Sequence, residues 1–310
     1  MLLLTFSLNK SRWNETLHCG LFDLPLCIRI RQAPGADLNF YKQLILLRSS
    51  TAICVFWVVA LLLVGLSACQ AVHRQGPVDE HTELHCGSAA IQLVRHTATW
   101  CRQVTFLNVH EDEQTSIQAL EKFALEHPIN YCYFQHSGAR RIRFSVGDSS
   151  CSIDPNRMFT DEGRRKTLKD GGFSSTVAER ELRKFATNFL KGLHKAEVLV
   201  ALHNNTPDNY SIHSYMPDSS EAQNTGRLYI NPEMDPDDFI YTTDSVLFGK
   251  FCQHGVNAIL QDASNFVDDG SLSVYCGFKK MRYVNIETEH GHLEEQLELL
   301  ELVLSFLEKK

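Results

Sequence analysis

The chain has 310 residues, enough for one large domain or two small ones. It is 44% hydrophobic and 22% charged, the ordinary balance of a folded soluble protein. The net charge of −7 argues against a nucleic-acid surface, since phosphate binding needs clustered Lys and Arg. Ten cysteines are many for an enzyme kept in a reducing cytosol, so the compartment becomes a question the rest of the sequence must answer.

Taken in chain order, residues 1–45 show no clear periodicity and are read as an uncertain extension. Residues 46–68 hold a long apolar run with no charge between Arg48 and Cys69. Its length fits a membrane-spanning helix, but its end, Leu66-Ser67-Ala68-Cys69, resembles a bacterial lipoprotein signal. That resemblance implies cleavage before Cys69, lipidation of its thiol and delivery to the cell envelope, on the periplasmic side of a bacterial membrane. Residues 69–86 are mostly polar and read as a tether from the lipid to a domain spanning 87–310. Besides Cys69, six cysteines follow the cut, and the absence of any Cys-x-x-Cys pair argues against a thiolate zinc site.

Within that domain, Val104–Val109 is a β-rich run of buried-strand length, and Ser116–Glu126 carries apolar residues at helical spacing. Two strands are expected at 131–134 and 142–146, followed by a long polar loop over 147–173. Ser175–Leu193 has helical periodicity, and Val198–Leu202 is an uninterrupted apolar strand of the kind found in a sheet covered on both faces. Further strands are expected at 255–260, 272–276 and 283–286, and His292–Leu307 closes the chain as an amphipathic helix. Alternating strands and helices predict a three-layer α/β/α domain around a mixed central sheet.

Three strand ends and loops carry chemistry. His110 and Glu113 follow the first strand within one turn, where both can face one ion, and catalytic zinc is commonly held by His with one carboxylate. His203 follows the most apolar strand, at the carboxyl end where open α/β sheets bind ligands. Asp154-Pro-Asn156-Arg157-Met-Phe159 offers an amide beside a guanidinium fork, suited to gripping a carboxylate. A second His/Glu pair, His292 and Glu295, opens the last helix, where capping and the helix dipole account for the acidic residue.

In order and spacing, His-x-x-Glu, Asp-x-Asn-Arg-x-Phe and Leu-His-Asn-x-Thr together resemble the zinc metallocarboxypeptidase superfamily, in particular its succinylglutamate desuccinylase/aspartoacylase branch. The resemblance implies a metallocarboxypeptidase-like fold with Zn2+ on His110, Glu113 and His203, and a substrate carboxylate on Asn156 and Arg157. It further implies a late-strand glutamate as general base, for which Glu287 is preferred to Glu289, although alternation puts both on one side of the strand. An arginine that polarises the scissile carbonyl is expected upstream, at Arg143 or Arg141, and Tyr275 is a candidate substrate contact. The sequence departs from the family pattern after His110, where Glu111 and Asp112 stand in place of a glycine. The implied activity is hydrolysis of an amide next to a carboxylate-bearing group, with a peptide or cell-wall fragment as substrate. An N-acyl amino acid is the alternative substrate, and a non-catalytic lipoprotein that binds zinc or peptide is the alternative of another class.

Overall fold

The computed structural model describes residues 16–19, 26–29, 77–98, 103–193, 195–207 and 209–308, in two compact units, 1–73 and 74–310. In the first unit, β1 (Thr16–Cys19) pairs antiparallel with β2 (Leu26–Arg29). The apolar segment 46–68 and Cys69 lie outside the described residues. Among the described residues, no helix is long and apolar enough to cross a membrane.

The second unit is built on a nine-stranded mixed sheet ordered β10-β12-β11-β13-β9-β5-β6-β4-β3. The strands are β3 (Val78–Cys86), β4 (Ala89–Thr97), β5 (Val104–Asn108), β6 (Asn130–Gln135), β9 (Val198–Asn205), β10 (Thr225–Tyr229), β11 (Phe239–Thr242), β12 (Ala258–Gln261) and β13 (Arg282–Glu289). At the centre, β13, β9, β5 and β6 run parallel. All eight residues of β9 are buried, which is what a continuous apolar strand requires when both sheet faces are covered.

Helices cover both faces, giving the three-layer arrangement expected from the sequence. On one face α1 (Gln114–Glu126), α4 (Ser245–Gln253) and α6 (Leu293–Leu307) supply Leu120, Phe123, Phe248, Phe251, Leu300 and Val303 against Phe106, Val200 and Ile286. On the other, α3 (Thr176–Leu193) buries Leu182, Phe185 and Phe189 against Leu107, Leu199 and Ala201. The helical spacing of those α3 residues is why a single face can be made apolar. Beside α3 lie α2 (Asp161–Asp170), α5 (Leu272–Lys279) and a separate antiparallel ribbon of β7 (Ile142–Val146) and β8 (Ser149–Ile153).

Three expectations are corrected. Part of the expected tether is structural, because residues 78–86 are β3, the edge strand of the main sheet. The expected loop at 147–173 contains β8, a 3-10 turn at Pro155–Arg157 and α2. The expected strand 272–276 is the first part of α5, started by the Ser271 hydroxyl, which accepts the Val274 N–H at 3.4 Å. Cys86, Cys132, Cys151, Cys252 and Cys276 are free thiols. Burial pushes Cys86, Cys132 and Cys276 up to about 12, so these three behave as small core residues.

The loop that carries Asp154–Phe159 is held against the chain before α5 by a contact between two glycines. A Cβ on Gly163 would lie 2.1 Å from the Gly270 Cα and 2.7 Å from the Arg157 carbonyl oxygen, both backbone atoms that cannot swing aside. Gly163→Ala is therefore expected to destabilise the domain by roughly 1–3 kcal/mol. In scanning calorimetry that is a Tm lower by about 2–12 °C, and an unchanged Tm would refute the close approach.

Candidate metal centre and cleft

The centre forms where three adjacent parallel strands end. His110 and Glu113 follow β5, His203 lies near the end of β9, and Glu287 stands directly beside His203 in the β13–β9 register. Carboxyl ends of neighbouring strands are where open α/β sheets leave a crevice. The turn after β5 is fixed by Asn108. Its Oδ1 accepts the His110 N–H at 2.9 Å, while its Nδ2 donates to Glu113 Oε2 at 3.2 Å and to the Leu202 carbonyl at 3.1 Å. The same amide therefore shapes the His110–Glu113 turn and ties it to β9.

His110, Glu113 and His203 converge. His110 Nδ1 is 2.8 Å from Glu113 Oε1, His203 Nδ1 is 2.9 Å from Glu113 Oε2, and the two Nδ1 atoms are 3.2 Å apart. All three residues are buried. Burial works against a charged His110 ring, but the Glu113 and Asp154 carboxylates outweigh it and hold its pKa up to about 9. Burial likewise disfavours the Glu113 carboxylate, yet the two imidazoles keep it well below the usual range. Positive charge is thus demanded at the point where these three groups meet.

A divalent cation fits that point. Ligand bonds of ~2.0–2.1 Å at tetrahedral angles put donor atoms ~3.3 Å apart, close to the separations found here. Two imidazoles and one carboxylate are a donor set suited to zinc. His110 Nε2 lies 2.8 Å from Asp154 Oδ1, a contact that would keep the proton on that nitrogen and leave the Nδ1 lone pair for a metal bound at the centre. On the other side of the ring pair, Asn156 Nδ2 is 3.4 Å from His203 Nε2.

The centre opens into a cleft of about 540 Å3 whose lining includes Glu113, Arg140, Asn156, Arg157, His203 and Glu287. Glu287 is 7% exposed, and burial raises its pKa above the ordinary carboxylate value. Asn285 Nδ2 donates to Glu287 Oε1 at 2.9 Å, and among the described residues no hydrogen bond is made to Oε2. Arg157 donates to the Asn156 carbonyl at 2.9 Å and faces Asp269 at 3.5 Å. Asn156 Oδ1 accepts the Leu272 N–H at 3.1 Å, which joins the Asn-Arg turn to the start of α5.

The structure separates residues that the sequence left together. Glu287 lines the cleft, whereas Glu289 faces His292, 3.9 Å away, in a more exposed grouping with Asp235. The His292 ring is held by the buried Asp238 carboxylate at 3.1 Å, just ahead of α6. Arg143 is exposed on β7, where alternation turns Ile142 and Phe144 inward, and it does not line the cleft. Arg141 donates to the Ser152 carbonyl at 2.8 Å and ties β7 to β8. The arginines that line the cleft are Arg140 and Arg157, and Arg140 lies 2.6 Å from Glu113 Oε1 and 3.8 Å from Asp154 Oδ2. Arg140 lies in the loop before β7, where strand alternation gives no signal.

Tyr275 is also outside the cleft lining. It sits on α5 with its ring 6.4 Å from that of Phe159, and the cleft tyrosines are Tyr210, Tyr215, Tyr241 and Tyr283. Glu111, the residue after His110, is a loop clamp. Its Oε2 accepts backbone N–H groups from His136, Ser137 and Gly138 at 2.7, 2.6 and 2.7 Å. Asp112 does line the cleft.

No protein-family model matches the sequence, and no curated protein matches it. Among solved structures, the chain is similar to the murein-tripeptide amidase MpaA from Escherichia coli O157, at 13% identity over 76% of this chain and 94% of that one, with a TM-score of 0.40. It is similar to an aspartoacylase family protein from Mesorhizobium loti at 12% identity, over 74% of this chain and 67% of that one, with a TM-score of 0.40. A metallo-carboxypeptidase from Burkholderia cenocepacia gives 11% identity, 77% and 68% coverage and a TM-score of 0.38.

Proposed function

We propose that the chain is a zinc-dependent hydrolase of an amide bond next to a carboxylate-bearing group, a carboxypeptidase acting on peptides or cell-wall fragments. The observation that carries this reading is the meeting, in one cleft, of the His110–Glu113–His203 centre with Glu287 and Arg157. Zinc bound there supplies a Lewis acid that brings the pKa of water toward about 7. Asn156 and Arg157 grip the substrate carboxylate and so choose which amide lies at the centre. Glu287 takes the proton of the attacking water on Oε2 and returns it to the leaving amine. Arg140 moves from Glu113 to the carbonyl oxygen and steadies the charge that develops on it.

The reading is tested by offering the zinc-loaded protein N-blocked dipeptides beside N-acetyl and N-succinyl amino acids and measuring the released amine. Amine release that a chelator stops and zinc restores supports it. One bound zinc with no C–N cleavage on any of these compounds would leave a binding protein. Arg157→Ala is expected to raise KM by roughly 10–100-fold, the loss of a charge-assisted hydrogen bond of about 1.5–3 kcal/mol, with zinc content unchanged. A KM like that of the wild type would remove Arg157 from the carboxylate site.

Delivery to the envelope is a separate part of the proposal, carried by Leu66–Cys69. Cys69→Ser is expected to move the protein from the membrane fraction to the soluble fraction of bacterial cells, and an unchanged distribution would contradict lipidation.

A further inference from the structure

Arg140 reaches the centre from a segment with little to hold it. Residues 136–141 connect β6 to β7, and Ser137, Gly138, Ala139 and Arg140 are all exposed. Among the described residues, none of these four makes a backbone-to-backbone hydrogen bond. An exposed segment without backbone pairing is the part of a fold that opens most easily. Its arginine nevertheless stays on target, with Nη1 2.6 Å from Glu113 Oε1 and Nε 3.8 Å from Asp154 Oδ2.

What anchors the segment is one carboxylate oxygen. Glu111 Oε2 accepts the N–H groups of His136, Ser137 and Gly138, all within 2.7 Å. Consecutive amides that converge on one oxygen make a concave anion site, and Gly138 supplies its left-handed backbone at a φ of 71°. The His136 ring adds no charge to this pairing. Its Nδ1 lies 3.6 Å from Glu111 Oε2 and 2.9 Å from Ser137 Oγ, and burial lowers its pKa, so the ring is neutral at neutral pH. The Glu111 charge is therefore met by amide dipoles, in hydrogen bonds that a charged acceptor makes short and strong.

Glu111 is itself held. It stands between His110 and Asp112 in the turn that Asn108 fixes through the His110 N–H and Glu113 Oε2. The 136–141 segment is thus fastened to that turn at both ends, by Glu111 at its start and by Arg140 near its finish. The same turn carries His110 and Glu113, so the segment and two of the candidate metal ligands form one unit. When the guanidinium leaves Glu113, the Glu111 anchor limits where it can go. We infer that Glu111 is a positioning residue, which holds the 136–141 segment so that the Arg140 guanidinium stays at the metal centre. The inference rests on the proposed reading of the cleft, in which Arg140 acts on the carbonyl oxygen.

The first arm of the test needs no turnover. Phenylglyoxal labels accessible guanidinium groups, and mass spectrometry follows Arg140 and Arg143 separately in the same full chain. Glu111→Ala is expected to speed labelling of Arg140 at least about tenfold, the opening that loss of one charge-assisted hydrogen bond permits. Arg143, exposed on β7 and outside the cleft, is expected to react as before. The second arm is a double-mutant cycle on the zinc-loaded protein. Glu111→Ala is expected to lower kcat by about 10–100-fold, with KM and zinc content unchanged. In an Arg140→Ala background the same substitution is expected to lower kcat by less than about twofold. Glu111→Gln, which keeps an acceptor without the charge, is expected to fall between Glu111→Ala and the wild type.

An unchanged Arg140 labelling rate, an Arg143 rate that rises with it, loss of zinc, or kcat losses that simply add would each overturn the inference. A wild type that cuts no amide would sink the proposed reaction, while the labelling rates would still decide whether Glu111 positions Arg140.

Discussion

Glu287→Gln is expected to lower turnover by roughly 10²–10⁴-fold, the usual weight of a positioned general base, while the protein keeps its zinc. Glutamine keeps the shape of the side chain and can still accept the Asn285 N–H, so the end of β13 need not move. What it loses is the capacity to take a proton on Oε2. Burial has already raised the Glu287 pKa, which makes the carboxylate a better base than an exposed glutamate at neutral pH. The measurement is kcat and zinc content on the same preparation. Wild-type turnover would take Glu287 out of the proton-transfer role, and loss of zinc would mean that it supports the metal centre instead.

The second large effect is expected at Asp154, which is not one of the three residues of the centre but bonds to one of them. Asp154 lies 2.8 Å from His110 Nε2, and so decides which nitrogen of that ring carries the proton. Burial pushes Asp154 toward protonation, but the His110 ring and the nearby Arg157 and Arg140 overcome this and keep it ionised far below its ordinary range. Asp154→Asn removes the charge and can turn an N–H toward Nε2, favouring the tautomer with the proton on Nδ1. Zinc affinity is then expected to fall about 10–100-fold, as is typical when an outer partner of a metal-binding histidine is lost. A competition titration against a chelating dye reads this directly. An unchanged affinity would show that Asn108 and the strand ends orient His110 without help from Asp154.

How far these features could be read from the sequence depended on where each residue lies. Strands β5 and β9 announce themselves because a parallel strand covered on both faces must be apolar throughout, and His110, Glu113 and His203 fall at their ends. The Asn156-Arg157 pair was visible as a chemical combination, and the structure puts both residues in the cleft. Edge strand β3 was not legible. Seven of its nine residues are exposed or half-buried, so it reads as a polar tether. Helix α5 reads as a strand in the sequence because a short apolar run carries too few turns to show its period.

Arg140 and Glu221, which both line the cleft, carry no signal in the sequence for a different reason. Arg140 sits in a loop, and Glu221 lies between the short 3-10 turns Ile212–Tyr215 and Ala222–Asn224, so no periodicity assigns either side chain a direction. Asp154 belonged to a motif that was recognised, but its bond to His110 spans 44 residues and exists only in the fold.

His110, Glu113 and His203 are expected to hold one metal ion between them. The most direct test is the metal content of the purified protein after zinc is supplied, measured beside a His110→Ala/His203→Ala double variant. The predicted result is about one zinc per wild-type chain and none held by the variant at the same protein concentration. A folded wild-type chain that binds no zinc, or a double variant that keeps it, would contradict the account.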